Sequence, residues 1–68
     1  MTVLELRKEL GLTRVELSRL TGVPSNTIKD WECGWHEPKE WVKPMFEMYA
    51  REQYKRYKKG EIEINKGG

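Results

Sequence analysis

The apolar residues of this chain fall in short groups with helical spacing, separated by polar punctuation. Val3, Leu6 and Leu10 would line one side of a helix, so residues 2 to 10 are predicted as a first helix, with Thr2 as cap and Glu5 three positions on. Val15, Leu17 and Leu20 define a second inward face. This helix is expected to start at Thr13, because Thr13 and Glu16 have the spacing of a capping box, in which hydroxyl and carboxylate each satisfy an orphan amide. Thr21-Gly22 should end it, since glycine tolerates the left-handed backbone of many helix exits. A third helix must follow almost at once. Pro24 suits its entrance, Ser25 and Asn26 suit its first turn, and it should run to about Cys33 with Gly34 as its stop.

The spacing inside this third helix carries the functional argument. At about 100° per residue, Ile28, Trp31 and Glu32 cluster on one side, while Asn26, Lys29, Asp30 and Cys33 cluster on the other. Two short helices joined by a tight turn read as a helix-turn-helix, whose second helix points its N-terminal end at base edges in a major groove. Asn26 can bond bidentately to adenine N6 and N7, Lys29 can donate to guanine O6 or N7, and Ser25 can serve either way. Asp30 is awkward beside phosphates. It must accept from a cytosine amino group, pair with Lys29, or help reject wrong sites.

Downstream, Pro38 marks a break and Pro44 leaves two courses open. Either a helix starts near Lys39 and kinks at Pro44, or a short turn leads into a helix from about Val42. Trp41, Met45, Met48 and Tyr49 have helical spacing and are expected to close the core over Ile28, Trp31 and Leu17. Arg51 to Lys59 should continue the helix with Tyr54 and Tyr57 on the packed side, its basic residues complementing the helix dipole or meeting phosphate. Gly60 ends it. Glu61 to Asn65 alternates as a half-buried strand would, either frayed or paired with a second copy, and Gly67-Gly68 is expected to be disordered. The predicted organisation is an all-α compact bundle of about four to five short helices, a helix-turn-helix domain over residues 1–59, and a tail over 60–68.

With 68 residues, the chain is one domain near the lower size limit for an unstapled core, which favours burial of further apolar surface in a homodimer. A net charge of +2 is too mild to argue for nucleic acid by itself, so that case rests on distribution. One cysteine excludes an intrachain disulfide, and no apolar stretch suits a signal peptide or a membrane span, so a reducing cytosol and no membrane partner are expected. Cys33 and His36 are spaced like half of a zinc site. Structural zinc needs about four ligands and the chain has no other Cys or His, so neither a metal nor another cofactor is expected. No paired-carboxylate, nucleophile-base or Gly-rich phosphate pattern suggests catalysis, and no effector domain is legible.

The chain resembles the repressor and Cro-like (XRE-type) DNA-binding domains. The resemblance rests on Leu6-Arg7-Lys8 before Gly11-Leu12-Thr13, on Glu16-Leu17, Gly22-Val23 and Thr27-Ile28, and on Trp31-Glu32 with Gly34; Trp41-Val42 matches the helix beyond. It covers roughly residues 3 to 50 and stops before Arg51. It implies a structural ion pair between Arg7 and Glu32, phosphate contacts at Thr13 and Arg14, and further backbone contacts from the loop carrying Trp35, His36 and Lys39, where Glu37 dilutes the charge. Two positions depart from the family pattern: Cys33 stands where relatives carry a polar or basic residue, and Pro24 replaces a frequent Ser or Thr cap. The function implied is that of a sequence-specific transcriptional regulator of double-stranded DNA, a repressor bound as a homodimer to a palindromic operator. A rival reading makes the scaffold a protein-interaction module, an antitoxin or small phage-type inhibitor, using Trp35, Trp41 and the Tyr-rich tail.

Overall fold

The computed structural model describes residues 2–64 and consists of four helices: α1 (Val3–Leu10), α2 (Arg14–Thr21), α3 (Ser25–Cys33) and α4 (Val42–Lys58). The first two helices start in the same way. Thr2 Oγ1 accepts the Glu5 amide at 3.1 Å while Glu5 Oε1 accepts the Thr2 amide at 3.0 Å. Thr13 and Glu16 repeat the exchange at 3.1 and 2.8 Å. Each box satisfies two amides that a helix start leaves without backbone partners. Pro24 precedes α3 without a side-chain cap, its ring holding φ at −56°.

Pro44 falls on the third residue of α4, so the chain takes the shorter of the two courses open to it. Lys39 forms a turn, its carbonyl accepting the amides of Val42 and Lys43 at 2.8 and 3.1 Å, and the helix proper begins at Val42. A proline in the first turn lacks only an amide that would have had no intrahelical partner. No kink is required.

Leu6, Leu12, Leu17, Leu20, Ile28, Phe46 and Ala50 form the buried core, with Val3, Leu10, Val23, Trp31, Val42, Tyr54 and Tyr57 packed around it. Val15 is half-buried at its edge. Helix α2 is central, packing on both α3 and α4, while α1 also touches both. The α4 face expected to close this core is the wrong one. Trp41, Met45, Met48 and Tyr49 stand between 50% and 71% exposed, and the residues that turn inward are Phe46 and Ala50. Both sets have helical spacing, so periodicity does not rank them. Phe46 meets the Trp31 ring edge-on at 5.4 Å between centroids, and the small Ala50 side chain fits where α4 packs against the body of the domain.

Tyr54 and Tyr57 lie on the packed side of α4. The tail does not form the expected strand over its described part: Ile62 and Ile64 pack on the core as irregular chain, and there is no strand among the described residues with which they could pair. Asn65 and the Gly67-Gly68 terminus lie outside the described residues.

Candidate nucleic-acid interface

Three residues, Gly22 to Pro24, separate α2 from α3, and the turn depends on backbone geometry. Gly22 adopts φ 82°, and its amide donates to the Ser18 carbonyl at 2.8 Å. Beyond this turn α3 is divided lengthwise. Ile28 is wholly buried and Trp31 half-buried, whereas Asn26, Lys29 and Cys33 stand in solvent, with Ser25 and Asp30 half-buried at their flanks. The helix thus carries Ser25, Asn26, Lys29 and Asp30 together. Among the described residues no ion pair joins Lys29 to Asp30; the Asp30 backbone carbonyl instead closes the helix, accepting from Gly34 and, at 3.0 Å, from the Trp35 amide.

Glu32 fixes how α3 sits on the rest of the domain. Arg7 Nε donates to its Oε2 at 2.6 Å and Arg7 Nη2 to its Oε1 at 3.3 Å, while Arg7 Nη1 reaches the Leu12 carbonyl at 3.1 Å. Arg14 Nε and Nη2 also bond Oε1, at 3.2 and 3.0 Å. One carboxylate therefore ties α1, the start of α2 and the end of α3. Its side chain is 3% exposed. Burial alone would push the carboxyl upward, but hydrogen bonds and charge from Arg7 and Arg14 outweigh it and hold Glu32 below the ordinary value of 4.5.

Sequence reasoning gave Arg14 only a phosphate role. Its guanidinium is turned toward Glu32, 18 positions along the chain, and no local pattern announces so distant a partner. Thr13 at the same helix start has its hydroxyl engaged by the Glu16 amide. After Gly34 the chain exposes Trp35, His36 and Lys39, Trp35 to 77%. Glu37 lies 3.9 Å from the Lys43 ammonium. Cys33 is exposed.

A family model described as helix-turn-helix matches residues 3–38, more than half of the chain. The chain belongs to the XRE-type helix-turn-helix family. No curated protein and no solved structure matches it. As an XRE-type domain it is a DNA-binding regulator, and the matched segment spans α1, α2, α3 and the loop to Pro38, leaving α4 outside.

Charge in this XRE-type domain is unevenly distributed. Within the matched segment Arg7, Lys8, Arg14, Arg19 and Lys29 are outnumbered by Glu5, Glu9, Glu16, Asp30, Glu32 and Glu37, and two of the arginines are engaged by Glu32. The basic density lies instead at the end of α4, in Lys55, Arg56, Lys58 and Lys59, with the Lys58 ammonium 5.4 Å from the Tyr54 ring centroid and 5.9 Å from that of Tyr57. No helix among the described residues is long and apolar enough to cross a membrane.

Proposed function

We propose that the protein is a transcriptional repressor that binds a palindromic operator as a homodimer, reading bases with Ser25, Asn26, Lys29 and Asp30. The observation that carries this reading is the split surface of α3: Ile28 is wholly buried in the core, while Asn26 and Lys29 are presented to solvent from the same two turns. A helix held in this way can enter a major groove as a rigid element, and an exposed amide and ammonium match the acceptor and donor edges of purines there. Thr13, Arg14, Trp35, His36 and Lys39 would contact phosphates around it. Of these, Arg14 keeps its place on Glu32 and offers the backbone whatever donors that bond leaves, so its part is positioning rather than sequence readout. Two such helices related by a two-fold axis would read half-sites about 34 Å apart.

The test is selection of bound sequences from random duplex DNA, with the winners titrated at two salt concentrations. An enriched palindrome whose affinity falls as salt rises supports the proposal. Because the helix-turn-helix is poor in free cations, the salt slope should be shallow. Weak binding without sequence preference would favour the alternative, a protein-interaction module, for which the exposed Trp35 is the specific supporting observation.

A further inference from the structure

A cleft of about 120 Å³ lies where α1, α3 and α4 meet, and Ser25, Asn26, Lys29 and Asp30 take no part in its walls. Its floor is apolar: Val3 and Leu6 from α1, Trp31 from α3 and Phe46 from α4. Leu6 and Phe46 belong to the buried core, so the floor is held by the fold. A cavity of roughly 150 Å³ with comparable walls takes benzene and stays dry, so this one suits a branched aliphatic group of about four carbons.

The rim is charged, and its charges differ in how firmly they are held. Glu47 is engaged by Arg51, whose Nη2 donates to its Oε1 at 3.1 Å. Lys43 and Glu37 are held loosely. The Lys43 ammonium stands 3.9 Å from Glu37 and equally 3.9 Å from Glu40, both beyond hydrogen-bond length. The rim therefore presents one cation and one anion side by side above an apolar floor. A ligand with a single charge would leave one of the two without a counterion, whereas a zwitterion satisfies both. The ammonium and carboxylate of a free α-amino acid lie within about 3 Å of each other, across one tetrahedral carbon, a spacing that matches the rim.

We propose that this cleft binds a free α-amino acid with a branched aliphatic side chain, its carboxylate on Lys43, its ammonium on Glu37 and its side chain against Val3, Leu6, Trp31 and Phe46. Such a molecule touches α1, α3 and α4 at once. It gives the domain a small-molecule input without a separate effector domain, and because only the folded chain holds the cleft, occupancy raises Tm.

The test is titration of the isotopically labelled full chain, without DNA, with L-leucine to about 10 mM, followed by amide and indole NMR shifts. The expected result is a saturable change centred on Val3, Leu6, Trp31 and Phe46. Two analogues each lack one charge, 3-methylbutylamine and 4-methylpentanoate, and both should bind at least about tenfold more weakly. Lys43→Gln should abolish the preference for leucine over the amine, and Glu37→Gln the preference over the acid. Both changes lie on exposed or half-exposed side chains, so circular dichroism should remain that of the parent. No saturable shift with leucine, a shift centred elsewhere, or an analogue that binds as well as leucine overturns the proposal. Equal binding of the amine would leave a site for the N-terminal residue of a peptide instead. Since DNA is absent from every step, the outcome stands apart from the operator reading.

Discussion

Arg7 Nε lies 2.6 Å from Glu32 Oε2, a bond that spans 25 positions of sequence and fastens the first helix to the end of the third. Replacing Glu32 with Gln keeps the shape and removes the charge, leaving the guanidiniums of Arg7 and Arg14 close together without a counterion. The expected cost is about 2 kcal/mol, below that of a fully buried pair because Arg14 remains partly in solvent. For a domain of this size that lowers Tm by roughly 10 °C. Calorimetry on Glu32→Gln checks it, and an unchanged Tm would show the pair to be energetically neutral.

The same carboxylate should make stability depend on acid. Its value in the folded chain lies below the ordinary 4.5, so its contribution is complete above the unfolded value and is lost as pH falls through 4.5 toward the depressed folded one. Urea unfolding midpoints should fall from about pH 5 downward. Glu32→Gln should flatten that part of the profile, and an equally steep profile in the variant would assign the acid sensitivity to other groups.

Neighbouring residues on α4 should respond oppositely to truncation. Phe46→Ala removes a buried ring that packs on Trp31 and should cost about 3 kcal/mol. Met48→Ala, measured at low micromolar concentration, should stay within about 0.5 kcal/mol. A large loss at Met48 under those conditions would contradict its exposure.

The turn of the helix-turn-helix offers a purely conformational test. A Cβ at Gly22 would meet nothing within 4 Å, so Gly22→Ala suffers only from φ 82°, at a cost of about 1 kcal/mol. Gly22→Asn should cost less, because asparagine visits the left-handed region more readily. Equal losses in the two variants, read by chemical denaturation, would point to a packing cause instead.

For the reading face, Asn26→Ala combined with Lys29→Ala should abolish sequence-specific DNA binding while circular dichroism and Tm remain those of the parent. Each side chain can carry about 1–3 kcal/mol of base discrimination, so the pair suffices to erase selectivity. Retained operator binding would remove α3 as the recognition helix.

What could be read from the amino acids alone was what is encoded locally. Thr13 and Glu16 announce a helix start within four residues, and Gly22 announces an exit by itself, so the helix-turn-helix and the division of α3 into two faces were legible. The inward face of α4 was not. Its two apolar stripes obey the same period, and the choice between them is made across the fold, by the contact of Phe46 with Trp31 and by the burial of Ala50 in the core. The bond from Arg14 to Glu32 was hidden for the same reason. The alternation of Glu61 to Ile64 misled because alternation makes a strand only where another strand is at hand.

The two reciprocal caps also bear on how quickly the chain finds its shape. Thr2 with Glu5 and Thr13 with Glu16 complete their bonds across a separation of three residues, before any distant contact is required. A small helical domain assembled from such nearby contacts belongs among the fast folders, which relax in microseconds to milliseconds. Helix ends specified this early narrow the remaining search to the docking of a few short helices.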